Sequence, residues 1–137
     1  MASSPVTKLS DEQCWKLLGG SSFGRLATSA LGMVDIMPIN YVVDKETLVF
    51  RTAPGSKLLE ISVSNVVAFE IDNYRAHDAW SVVVKGTAEM ISNPYDIVLA
   101  EALPLNPWVP TVKPIFVRIT PTDVTGRHFS FGTAEGN

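Results

Sequence analysis

Cysteine, histidine and charge are all scarce in this 137-residue chain. The single cysteine, Cys14, excludes an intramolecular disulfide and fits a reducing cytoplasm. It falls among apolar neighbours in an expected helix, the setting of a core thiol rather than a nucleophile. The two histidines, His77 and His128, have no second histidine, cysteine or carboxylate at metal spacing, so a zinc site has no support. No apolar run reaches transmembrane length, and Met1–Thr7 lacks the apolar stretch of a signal peptide. The net charge of −3 argues against a non-specific nucleic-acid binder. No Gly-x-Gly-x-x-Gly follows a strand, which leaves a dinucleotide-binding fold unsupported. No Ser-His-Asp arrangement supports hydrolase chemistry. Charged residues make up 18% of the chain and hydrophobic ones 46%. A surface so lean in charge implies that part of it is covered, and a second copy is the simplest cover. The length fits one domain over 1–137, with tails at 1–8 and 132–137 expected to be mobile.

What is present reads mainly as β-structure. Ser10-Asp11-Glu12-Gln13 has capping-box spacing and opens a helix with Cys14, Trp15, Leu17 and Leu18, ending at Gly19-Gly20. A strand over Phe23–Thr28 turns near Ala30–Gly32 into a second one, Met33–Val43. Pro38 removes a ladder donor there, which marks an edge or a bulge. Asp44-Lys45-Glu46 turns the chain into Thr47–Thr52. Val67, Phe69 and Ile71 alternate on one strand, and Trp80, Val82, Val84, Gly86, Ala88 and Met90 on the next, with Asn73–Asp78 a polar loop between them. Asn93-Pro94 starts a helix with Tyr95, Val98, Leu99, Ala102 and Leu103 at helical spacing. A Pro-rich connection containing Trp108 leads to a strand over Lys113–Thr120, and Asp123–Phe131 forms a shorter one. Six to seven antiparallel strands joined by short turns, with three short helices, predict a mainly β, barrel-like fold.

The stretch Phe50-Arg51-Thr52-Ala53-Pro54-Gly55-Ser56-Lys57-Leu58 carries the most chemistry. An apolar strand ends in a cation and a hydroxyl. A tight turn then opens a helix with a hydroxyl and an ammonium. Unpaired amides and the positive dipole end of that helix add to a setting suited to a phosphate monoester. The alternative is an ordinary strand, turn and helix with solvated charges.

These residues, in order, resemble the flavin-binding split β-barrel family related to pyridoxamine 5′-phosphate oxidase. The resemblance rests on Phe23-Gly24-Arg25-Leu26-Ala27, Met37-Pro38-Ile39-Asn40-Tyr41, Phe50 to Leu58, Phe69-Glu70-Ile71-Asp72, Trp80 to Gly86, and Thr125-Gly126-Arg127. It is nearest to the small, nitroimidazole-resistance-like members. The resemblance implies a split β-barrel that binds FMN between the two subunits of a homodimer and acts on a small organic substrate as an oxidoreductase. One subunit would grip the phosphate and the other would close over the ring. Arg51, Thr52, Ser56 and Lys57 fall where the family holds the phosphate. Asp35 to Asn40, with Pro38, Ile39 and Asn40 as the candidate contacts, falls on the strand along the isoalloxazine, and Trp80 and Ser81 where the oxidase touches the flavin. Two departures stand out. Ser56-Lys57 replaces an Arg-Lys pair, and Gly126-Arg127-His128-Phe129 does not match the oxidase's substrate-phosphate residues, so pyridoxal-phosphate chemistry is not implied.

For individual residues two readings stay open. Asn40 fits a flavin's pyrimidine edge or the closure of a bulge. Trp80 fits a ring contact or core packing. Since fold does not fix function, a non-catalytic flavin, deazaflavin or haem binder on the same barrel is the alternative.

Overall fold

The computed structural model describes residues 4–105 and 113–132. Trp108 and the tail beyond Gly132 lie outside the described residues. The elements run β1 (Val6–Lys8), α1 (Asp11–Gly19), β2 (Phe23–Ala30), β3 (Met33–Asn40), β4 (Val42–Asp44), β5 (Thr47–Thr52), α2 (Ser56–Val63), β6 (Val66–Tyr74), β7 (Asp78–Met90), α3 (Pro94–Glu101) and β8 (Ile115–Ser130). All strand pairings are antiparallel, in the order β3-β2-β6-β7-β8-β5-β4, with β1 added to β8. The sheet curls into the half-barrel of the split-barrel fold, as the alternating strands and short turns predict.

The strand count corrects the sequence reading in three places. Val6–Lys8, expected to be mobile, pairs with Arg127–Phe129. The stretch Met33–Val43 breaks at Tyr41 rather than at Pro38. Tyr41 turns inward, is buried, and donates its hydroxyl to the Leu18 carbonyl at 2.6 Å. Pro38 sits opposite Arg25 on β3, an edge strand hydrogen-bonded to β2 alone, where a missing donor is tolerated. The two expected C-terminal strands are one, β8, continuous through Pro121. It stays paired with β7 because a register shift between Lys85 and Gly86 absorbs the irregularity. Gly86 is required there: a Cβ would run into the Thr120 carbonyl and the Pro121 backbone.

Two apolar clusters lie on opposite faces of the curled sheet. The larger contains Cys14 and Leu18 of α1, Leu26, Leu48, Phe50, Ile61 of α2, Phe69, Ile71, Val82, Val84 and Val117. The period-2 alternation of β6 and β7 puts their apolar residues on this face. The smaller cluster joins Val49 and Phe116 to Ala100 of α3. Both helices that flank the chain's turns are capped as their sequences predict. Ser10 Oγ accepts from the Gln13 amide at 3.2 Å while Gln13 Oε1 accepts from the Ser10 amide at 2.8 Å. Asn93 accepts from the amides of Tyr95 and Asp96. In α3, however, the residue turned inward is Ala100, and Tyr95, Val98 and Leu99 are exposed.

Candidate functional site

The end of β5, the start of α2 and the approach to β8 meet at one end of the half-barrel. Register pairs Arg51 with Phe116 and Thr52 with Ile115. Alternation along β5 sends Phe50 and Thr52 to the main core and leaves Arg51 on the opposite face. There the Arg51 guanidinium lies 4.7 Å from the Phe116 ring centroid, and its Nε donates to the Lys113 carbonyl at 2.9 Å. Thr52 is buried, with its hydroxyl donating to the Ala53 carbonyl at 3.2 Å. Lys57, in the first turn of α2, places Nζ 5.7 Å from the Phe50 ring centroid. It is half-buried, and burial lowers its pKa; the positive charge of Lys113 lowers it further.

The donor set fits an anion. Arg51, Lys57 and Lys113 have no carboxylate partner among the described residues. Gly55 at the N-cap offers no side chain to the first amides of α2, and the first turn carries no acidic residue. The other two helices carry Asp11 and Glu12, and Asp96, at that position. Helix dipole and side chains at α2 therefore share one sign without internal compensation. Arg supplies a planar fork of donors and Lys a compact charge, a combination suited to phosphate oxygens. Ser56 contributes its place at the head of α2. Sequence reasoning missed Lys113. No local pattern links it to a turn more than fifty residues earlier in the sequence; only the β5–β8 register does so.

The remaining predicted residues lie elsewhere. Asn40, at the end of β3, faces Phe23, and its Nδ2 reaches the Ser22 carbonyl at 3.4 Å. That contact ties the end of β3 to the start of β2; the β2–β3 register runs unbroken past Pro38, so there is no bulge for Asn40 to close. Ile39 is buried in the main core and Pro38 is exposed on the other face. Trp80 packs against the main core, opposite Asn73 and His128. Ser81 faces the opposite way, between Asp72 and Arg127. Arg127 stands twelve residues further along β8 than Ile115, the partner of Thr52. That is roughly 40 Å of strand path. Within one chain the phosphate-type grip and the Trp80–Ser81 region are thus at opposite ends of β8.

A second polar group occupies the outer face of β2 and β6. Arg25 Nη1 contacts Glu70 Oε1 at 3.0 Å and Asp72 Oδ2 at 3.2 Å. Burial pushes the Glu70 pKa up to about 7, and the hydrogen bond and charge of Asp72 add to this against the pull of Arg25. The two carboxylates share one guanidinium on this partly exposed face. At the β6–β7 turn, Asp78 joins Arg75 and His128, whose Nε2 lies 3.0 Å from Asp78 Oδ2. Arg75, then His128, holds Asp78 down to a pKa of about 2. Gly20-Ser21-Ser22-Phe23-Gly24 has nucleophile-elbow spacing, but it runs from a helix into a strand, the reverse of that motif. Among the described residues no three His, Cys, Asp or Glu side chains gather as metal ligands, and no helix is long and apolar enough to cross a membrane.

Residues 10–128 match the family described as pyridoxamine 5′-phosphate oxidase, and the chain belongs to that family. A Mycobacterium smegmatis structure described as an FAD binding protein shares 39% identity, with a TM-score of 0.79 over 91% of this chain and 99% of that one. A Mesorhizobium loti structure described as an FAD-binding protein shares 26% identity, with a TM-score of 0.80 and the same coverage of 91% and 99%. An uncharacterized protein of Mycobacterium tuberculosis is 41% identical over 91 residues, 66% of this chain and 83% of that protein.

Proposed function

We propose that the chain is a flavin-dependent oxidoreductase of a small organic substrate that binds FMN through Arg51, Thr52, Ser56 and Lys57. The observation that carries this is the gathering of uncompensated cations around the head of α2. The relatives described as FAD-binding support a flavin, whose ribityl-linked phosphate is common to both flavin nucleotides. The bound flavin would supply hydride or electron transfer; the protein's part is to bind, orient and tune it. Arg51, stacked on Phe116 and tied to the Lys113 carbonyl, presents its remaining donors in a fixed direction. Lys57 meets the phosphate from a partly desolvated position, where charge-assisted contacts are stronger than in water.

The working form in this proposal is a homodimer. One protomer grips the phosphate while the Trp80–Ser81 region of the other approaches the ring, since a single chain holds these two parts at opposite ends of β8; the Pro38–Asn40 end of β3 would lie along the ring. The β2–β3 hairpin supports this. Leu31 at its tip is 88% exposed with φ +53, a conformation that a branched side chain adopts at a cost. Met33, Val34 and Ile36 beside it are also exposed. A buried free thiol at Cys14 suits a reducing cytoplasm. No nucleic-acid or membrane partner forms part of this proposal.

The test is to purify the protein, denature it and identify the released molecule by mass spectrometry. FMN is the expected result. Reduction of the bound flavin by a nicotinamide donor, followed by turnover with an acceptor, would establish the enzyme. A deazaflavin, a haem or a colourless protein that takes up no flavin would contradict the proposal.

A further inference from the structure

We propose that the Lys113 ammonium is a third ligand to the cofactor's phosphate, meeting it with Lys57 and Arg51 from the residues that lead into β8, the strand that pairs with β5. The inference rests on the flavin reading above and adds to it a residue from a distant part of the chain.

Three observations place it. The Lys113 carbonyl accepts from Arg51 Nε at 2.9 Å, which pins residue 113 beside the Arg51 guanidinium. The register Thr52–Ile115 puts the approach to β8 level with the last residue of β5, directly before the turn into α2. Lys113 also lies near enough to Lys57 to disfavour its protonated form, although nothing in the fold requires two ammonium groups to be neighbours. Arg51 rests on Phe116 in the smaller apolar cluster and Lys57 on Phe50 in the larger one. Like charges held together in a partly desolvated place repel unless an anion joins them. A phosphate dianion removes that repulsion, and its three terminal oxygens offer an acceptor to each cation. Lys113 also restores the second cationic side chain that Ser56 does not provide.

The backbone and side-chain roles of residue 113 separate cleanly. Any substitution keeps the carbonyl that holds Arg51, so a change at the ammonium leaves the Arg51 anchor in place, and losing its charge favours protonated Lys57, which works against any loss of phosphate affinity. The experiment is a fluorescence titration of the full chain with riboflavin, FMN and FAD at fixed ionic strength, using wild type, Lys113→Met and Lys113→Arg. Wild type should favour FMN over riboflavin by at least about a hundredfold. Lys113→Met should narrow that ratio about tenfold or more by weakening FMN, with riboflavin unmoved; Lys113→Arg should keep most of it. The FAD arm tells whether the contact also serves a diphosphate: a parallel loss shows that it does, and the proposal stands on the shared phosphate chemistry. A wild-type preference for FMN that survives unchanged in Lys113→Met would overturn the proposal and leave the flavin reading intact. A wild type with no preference would remove both.

Discussion

The Arg51 guanidinium lies over the Phe116 ring, 4.7 Å from its centroid, on the face of the sheet opposite the main core. The two residues are register partners on β5 and β8. A cation–π contact of this kind contributes about 0.5–1 kcal/mol and also fixes the direction of the fork. Arg51→Ala should weaken FMN by about ten- to a hundredfold, the worth of one charge-assisted contact, while lowering stability by only about 1 kcal/mol. Arg51→Lys should recover little of the affinity, because an ammonium neither stacks flat nor forks. Titration and urea unfolding of both variants check this. Full affinity in Arg51→Ala would remove Arg51 from the site.

Glu70 gives the chain a pH dependence of its own. Its pKa rises to about 7 in the fold, above the ordinary carboxylate value of 4.5, so folding favours the protonated form. The contribution is full below the unfolded value and is lost as pH rises through the folded one. Glu70→Gln should therefore gain on wild type as pH rises, with most of the change between the ordinary value of 4.5 and the folded value of about 7, and little further change above it. Denaturant unfolding of both proteins at matched concentration measures the difference. A difference that does not change with pH would contradict the raised pKa of Glu70 beside Asp72.

The exposed hairpin strand makes the dimer testable at one position. Ile36 is 68% exposed on the edge strand, so a charge there does not disturb the core of a single chain. Ile36→Glu should keep its thermal transition as a folded chain yet sediment as a monomer at protein concentrations on the order of micromolar, where the proposal expects wild type to sediment as a dimer. If wild type itself sediments as a monomer with flavin bound, the composite site is wrong.

Much of this architecture is legible in the sequence, and the exceptions have physical reasons. Alternation at Val67, Phe69 and Ile71 and at Val82 and Val84 specifies the core face, because period-2 patterns survive any context that buries one side. The capping box at Ser10 and the asparagine cap at Asn93 are local and appear as expected. Pro121 reads as a break between strands, but a compensating shift opposite Gly86 carries β8 through it, and that compensation lies in another strand. Val6–Lys8 reads as a tail because a three-residue edge strand has no pattern of its own. Arg51, Thr52 and Lys57 stand in one contiguous stretch, so a reading along the chain meets them together. Lys113 and the Arg25–Glu70–Asp72 group depend on long-range register, which no window along the chain contains.

The phosphate is the centre of this account, and riboflavin isolates it, since it shares the ring and ribityl chain with FMN and lacks only that group. The most direct measurement is the ratio of riboflavin to FMN dissociation constants for wild type and Lys57→Ala, by fluorescence quenching at fixed ionic strength. Wild type should prefer FMN by at least about two decades, and Lys57→Ala should narrow the ratio by about ten- to a hundredfold through FMN alone. Riboflavin binding as tightly as FMN to wild type would contradict the account and leave the stretch from Phe50 to Leu58 as a strand, a turn and a helix.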